Sequence, residues 1–231
     1  FDKLLFSLHH NFDPKDIDMN IALIGATGFV GSAVLNELLQ RGHRVTVLAR
    51  NPGKLTPREG LTVVAADAQD AAQVAKAVAG HDAVVSAYNP GWTVPDIHDQ
   101  FLKGTRAIID GTKAAGVRRL LVVGGAGSLF VAPGVQLVDT PKFPAEWKQG
   151  ALAAREALNW IRTENTLDWT FLSPPILLQP GERTGQYRLG DEAPLMNGDQ
   201  PGSISVADLA VAMVDELETP RHVQKRFTVA N

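Results

Sequence analysis

Cysteine is absent from the 231 residues, which excludes a disulfide framework, a thiolate nucleophile and any cysteine-ligated metal. An excess of one charge is absent too: 22 Lys and Arg stand against 25 Asp and Glu, a formal net charge of −3. That near balance gives no basic footprint for nucleic acid or an anionic membrane surface, so neither is an expected partner. No apolar run approaches the roughly 18 residues that a spanning helix needs. Tyrosine occurs only twice, as Tyr88 and Tyr187. What remains is ordinary globular composition, 45% hydrophobic and 20% charged, in a length suited to one domain with a sizeable core. A cytoplasmic setting is the default expectation.

Residues 1–18 read differently from the rest. Phe1, Leu4, Leu5 and Leu8 fall at helical spacing and are followed by a polar, Pro14-containing stretch. The apolar part is too short for a signal peptide and lacks a small-residue cleavage site. The segment is expected to be a vector remnant or upstream translation ahead of Met19; the alternative is an arm that packs on a partner. Residues 19–231 are expected to form one domain.

Six short apolar runs punctuate that domain: 21–24, 45–49, 61–64, 83–85, 120–123 and 169–172. They are apolar on both faces, as parallel strands covered on each side should be. Helical periodicity fills 29–41, 71–79, 97–115 and 145–163 between them, and a further helix over 206–217 follows the N-capping residue Ser205. This alternation predicts an α/β fold, a doubly wound parallel sheet with helices on both faces. Residues 173–203 break the pattern with five prolines and five glycines, so they are expected to form a substrate-side loop or small hairpin. A plain surface excursion is the alternative.

The segment Gly25-Ala26-Thr27-Gly28-Phe29-Val30-Gly31 follows the first strand and opens the first helix. Glycines there let the backbone turn tightly and approach a pyrophosphate, which the free N–H groups and the helix N-terminus then hold. A Walker-type loop is excluded because no Gly-Lys-Ser/Thr follows. At the end of the second strand, where an acidic residue would read a ribose 2′-hydroxyl, the chain has Arg50, with Lys54 four residues on. These cations suit a 2′-phosphate, two solvated cations on a loop being the alternative. A charged hydrogen bond is worth about 1.5–3 kcal/mol, so NADP(H) should be preferred over NAD(H) by roughly 10- to 100-fold. Ligands of such sheets lie beyond the carboxyl ends of the strands. Ser86, Ala87 and Tyr88 are therefore expected on the path toward the nicotinamide, and Gly124 and Gly125 near its reactive end. Tyr88 could equally be an ordinary loop aromatic.

The Gly-x-x-Gly-x-x-Gly spacing, with Ala26-Thr27 between the first glycines, resembles the atypical, extended branch of the short-chain dehydrogenase/reductase superfamily. The resemblance runs from Met19 to the C-terminus. It points in particular to the small NAD(P)H-binding group related to NmrA-like proteins and flavin/biliverdin reductases. It implies a Rossmann fold and an adenine contact at Asp67, beside Ala68. It also implies a Tyr-x-x-x-Lys pair on the helix around 145–163. That helix has no tyrosine, and Tyr187 is followed four residues later by Asp191. Ser128 is the remaining polar candidate for catalysis, a hydroxyl capping a local turn being its alternative role.

Ser173, Pro174, Pro175 and Ile176, together with Arg183, are expected at the substrate end, although Arg183 could instead form a surface salt bridge. Trp147 and Trp160 read as core residues, substrate stacking platforms being the alternative, and the histidines show no metal-ligand spacing outside His9-His10, so no metal is expected. The expected function is NADPH-dependent transfer of hydride to a small flavin- or quinone-like acceptor, whose proton can come from water. The alternative is a non-catalytic NADP(H)-sensing protein. A sugar epimerase or dehydratase needs the missing Tyr and Lys. Helix faces could support a homo-oligomer, but nothing specifies one.

Overall fold

The computed structural model describes residues 18–231, so the expectation for the leader falls almost wholly outside the described residues. The six apolar runs become strands β1 (Asn20–Ile24), β2 (Arg44–Ala49), β3 (Leu61–Ala65), β4 (Ala83–Ser86), β5 (Arg119–Val123) and β6 (Asp168–Ser173). Two strands that periodicity did not reveal complete the sheet: β7 (Arg188–Gly190) and β8 (Lys225–Ala230). The sheet order is β7-β8-β6-β5-β4-β1-β2-β3, and every pairing is parallel except that of β7 with β8.

The helices are α1 (Phe29–Gln40), α2 (Ala71–Val78), α3 (Ile97–Ala114), α4 (Ala145–Ile161) and α5 (Val206–Glu218). Each starts where the local chemistry allows. The Asp70 carboxylate accepts from the backbone N–H groups of Ala72 and Gln73 to start α2. The Ser205 hydroxyl accepts from that of Asp208 to start α5.

Two apolar layers hold the sheet. On one face, Val34, Leu35 and Leu38 of α1 and Leu209, Met213 and Leu217 of α5 cover Leu23, Val47, Val85 and Phe227. On the other, Val74 and Val78 of α2, Ile108 and Ile109 of α3, and Leu158 of α4 cover Ile24, Val84, Leu120 and Phe171. Both faces of β1 are therefore apolar, which is why the strand shows no alternation.

The chain runs outward from β1 through β2 to β3, then returns to place β4 on the other side of β1. This reversal opens a crevice above β1 and β4. The register aligns their ends, with Ile24 opposite both Leu48 and Ser86. Consequently the segments that begin at Gly25, Arg50, Ala87 and Gly124 leave the sheet along one edge. The 173–203 stretch contains a parallel pairing of Leu177–Gln179 with Ser203–Ser205 and a small hairpin of Met196–Asn197 with Gln200–Pro201.

Candidate functional site

The glycine turn sits at the mouth of that crevice, and its three glycines are required for different reasons. Gly25 has φ +86°, and a Cβ there would lie 2.3 Å from the Ala87 carbonyl oxygen. A Cβ on Gly31 would lie 2.1 Å from the Gly25 carbonyl oxygen. The fold itself therefore demands glycine at both positions. Gly28 differs: the nearest atom to its Cβ would be the Gly25 oxygen at 3.4 Å, an ordinary contact. What its missing side chain leaves open is space outside the protein, at the N-terminus of α1.

That N-terminus is prepared for an anion. Gly28 is the N-cap residue and offers no side-chain cap, and the first turn carries no acidic residue. The Gly28 N–H donates to the Gly25 carbonyl at 3.0 Å, closing the turn. Phe29 is 50% exposed and Thr27 is exposed, so the turn faces solvent. The positive end of the helix dipole is left for a ligand.

Arg50 follows β2 on the same edge. It is exposed, and neither it nor Lys54 forms an ion pair among the described residues. Lys54 lies in a short 3-10 turn, Pro52–Lys54. Asp67 shapes the next loop: its Oδ1 accepts from the Gln69 N–H at 2.9 Å, and its own N–H donates to Gln73 Oε1 at 3.0 Å. Ala68 packs partly buried beside it.

Tyr88 is held in place in the loop that leaves β4. Its hydroxyl donates to the Gln100 carbonyl at 3.1 Å and accepts from Gln69 Nε2 at 3.0 Å. Its ring fills the space that a Cβ on Gly104 would occupy, 2.2 Å from the ring atom Cε1. Burial pushes the phenol above its ordinary value. Ser86 is buried, and its Oγ accepts from the Tyr88 N–H at 3.4 Å. Gly124 keeps the exit of β5 flat against Phe171, whose ring a Cβ would meet at 1.9 Å, while Gly125 is partly exposed.

Of the residues expected at a substrate end, the structure joins some and separates others. Ser128 is 2% exposed and Ser173 fully buried, and both hydroxyls accept from Nη1 of Arg226, at 3.4 and 3.3 Å. Arg226 also pairs with Glu192, which Arg162 holds from outside at 2.7 Å. Arg226 escaped the sequence reading because a buried arginine on a strand looks like a surface residue until its partners are known. Pro175 is buried, with Pro174 and Ile176 half-buried above β6.

Arg183 lies elsewhere. Its Nε and Nη2 bond to the Glu37 carboxylate at 2.7 and 2.9 Å, about 12 Å along α1 from the anion-ready end. Burial alone would raise the Glu37 carboxyl, but hydrogen bonds from Arg183 and Arg41 hold it below its ordinary value. Trp147 also departs from expectation. It is 53% exposed rather than core, whereas Trp160 packs half-buried beneath the Arg106 guanidinium. A cavity of about 250 Å³ lined by Tyr187, Asp215 and His222 opens at the opposite end of the sheet.

A nucleotide-binding protein of the Rossmann type is the class that this sheet reversal, glycine turn and uncapped helix define. The chain belongs to the NAD(P)H-binding family, whose model matches residues 25–220. It is an atypical short-chain dehydrogenase/reductase-like member. An uncharacterized Bacillus subtilis protein, YwnB, is 40% identical over 92% of this chain and 99% of its own length. A Bacteroides thetaiotaomicron structure provisionally described as an epimerase is 46% identical, with a TM-score of 0.86 over 92% of this chain and 97% of that one. A Streptococcus pneumoniae structure provisionally described as an NADH-flavin reductase is 34% identical, with a TM-score of 0.80 over 92% and 99%. Among the described residues, no helix is long and apolar enough to cross a membrane.

Proposed function

We propose that the protein is an NADPH-dependent reductase of flat, conjugated acceptors of the flavin or quinone class, acting in the cytoplasm. The observation that carries this reading is the pairing of an open anion site at Gly28 with a free cation at Arg50. The residues present suit the dinucleotide. Gly28 has no side chain in the way, the first turn of α1 has no carboxylate to repel a pyrophosphate, and Arg50 is exposed and forms no ion pair among the described residues. Arg50 would hold the 2′-phosphate, with Lys54 as a second cation, and Asp67 would face the adenine.

A bound reduced nicotinamide supplies the hydride, and water supplies the proton that completes a two-electron reduction of the acceptor. The chain's part is to bind and orient. Tyr88, fixed by Gln69 and Gln100, walls the path, and the glycines after β5 let the backbone approach. No residue at the α4 position moves a proton, because the Tyr-x-x-x-Lys pair is missing there. That absence disfavours carbonyl–alcohol chemistry and sugar epimerisation, for which a general acid is worth about 10²–10⁴ in rate. The name of the S. pneumoniae relative supports the same direction.

The test is NADPH oxidation in the presence of FMN, riboflavin and a soluble quinone. Steady turnover with at least one of them is expected. NADPH binding without turnover of any acceptor would instead establish the non-catalytic, NADP(H)-sensing reading that the missing pair favours.

A further inference from the structure

We propose that Trp92 and Trp147 form an indole ledge that seats the ring system of the acceptor at the nicotinamide end of the crevice. This inference rests on the reductase reading and names the residues that would select its second substrate. The chain has four tryptophans. Two of them serve the fold: Trp169 is 3% exposed, its indole N–H donating to the Glu164 carbonyl at 3.1 Å, and Trp160 lies beneath Arg106. The other two face solvent, Trp92 at 58% and Trp147 at 53%. An aromatic side chain carries on the order of 150–250 Å² that folding normally buries, so two outward indoles on one patch are not explained by core packing.

The ledge is built rather than incidental. A Cβ on Gly150 would come within 2.8 Å of Trp92 Cζ3 and 3.2 Å of Ile97 Cδ1. Trp92 therefore rests its edge on the backbone of α4, which fixes the ring and leaves the rest of it to solvent. Trp147 stands three residues before Gly150 on the same helix, hence on the same face. The two indoles thus flank one glycine.

Their place in the fold ties them to the crevice. Trp92 lies in the loop leaving β4, which begins at Ala87, the residue whose carbonyl packs against Gly25. The helix under Trp147 rests on the turn leaving β5, where a Cβ on Gly127 would lie 2.9 Å from that of Ala151. The ledge therefore overhangs the exits of β4 and β5, the part of the edge beyond the phosphate turn. A flat conjugated ring system is the occupant that stacks on indole faces, and its reduction does not need the Tyr-x-x-x-Lys pair that α4 lacks.

The experiment is an FMN titration, read by quenching of flavin fluorescence in the presence of NADP⁺. It is run on the wild type, Trp147→Ala, Trp92→Ala and Trp92→Phe, alongside NADPH-dependent FMN reduction. Each alanine variant should weaken FMN binding about tenfold, with the loss falling on KM rather than kcat and with NADPH affinity retained. Trp92→Phe should recover most of the binding. Trp147 is exposed, so its alanine variant tests the idea even if changes at Trp92 disturb the loop. Unchanged FMN affinity in both alanine variants, or no FMN binding by the wild type, overturns the proposal. A wild-type dimer that Trp147→Ala dissolves while FMN binding stays intact also overturns it, by placing a second copy on the ledge. Tryptophan-dependent FMN binding without reduction supports the ledge while removing the reductase reading.

Discussion

The glycine turn and the 173–231 segment use the same residue types to opposite ends. At the first, the N-cap Gly28 offers no side-chain cap to the start of α1, and beyond the neighbouring β2 the exposed Arg50 forms no ion pair among the described residues. In the second, Arg183 is spent on Glu37, Arg226 on Glu192 and two buried hydroxyls, and the fully buried Asp208 on Thr184 and Gly185. Polar groups that the fold pairs hold the C-terminal part against the sheet, although Arg226 Nε and Thr228 Oγ1 stay buried without a partner among the described residues. Polar groups that it leaves open define where a ligand can gain binding energy. The difference is one of neighbours, not of residue type.

Substitutions within the turn should break this contrast most severely. Gly31→Ala places a Cβ 2.1 Å from the Gly25 oxygen, so it should cost about 1–3 kcal/mol of stability and abolish cofactor binding together. Thermal melts and titrations on the same sample check both. Gly28→Ala should separate the two effects. Its Cβ meets protein no closer than 3.4 Å, so the melt should stay near wild type while NADPH binding is lost. A Gly28→Ala variant that binds normally would show that the pyrophosphate does not approach there.

Part of this contrast was legible in the sequence. Strands β1 to β6 and the five helices follow from apolar runs and 3.6-residue periodicity, because double-sided burial leaves no other pattern for β1 or β5, while β3 at the sheet edge is only half-buried. The glycine turn is equally legible, since a strand, a turn and an amphipathic helix occur in the right order. Strand β8 was not. Its Lys225 and Arg226 read as surface, and Glu192, Ser128 and Ser173, all distant in sequence, make a buried Arg226 tolerable. Strand β7 has three largely exposed residues and exists because β8 offers an edge. Trp147 reads as core on helical spacing alone, yet its indole is 53% exposed. Whether Arg183 faced ligand or carboxylate depended on where α1 would lie.

Arg183→Ala sharpens the second half of the comparison. The Arg183 side chain is 42% exposed, so solvent screening limits the stability loss to about 1 kcal/mol, with little change in FMN reduction. The pH dependence has a definite sign. Glu37 titrates below its ordinary 4.5 when folded, so the wild-type advantage over the variant is complete above that value. It shrinks as pH falls through the lowered folded pKa. Acid melts of both proteins should therefore converge. A large fall in FMN turnover with unchanged stability would return Arg183 to the substrate site.

The smallest expected effect is that of Tyr88→Phe. The phenol is held above its ordinary value and both its hydrogen bonds go to protein, so it should remain protonated through the neutral range. NADPH-dependent reduction should change by less than about twofold, with no new pH dependence between pH 6 and 9. A bell-shaped profile that disappears in the variant would make Tyr88 the missing proton donor.

The central claim is that the open end of α1 and the exposed Arg50 together form an NADPH site. Calorimetric titration of wild type and Arg50→Ala with NADPH and with NADH tests it most directly. Wild type should prefer NADPH by roughly 10- to 100-fold, and the variant should bind the two cofactors about equally, with NADH affinity little altered. Equal affinities in the wild type, or a preference that survives in Arg50→Ala, would contradict it.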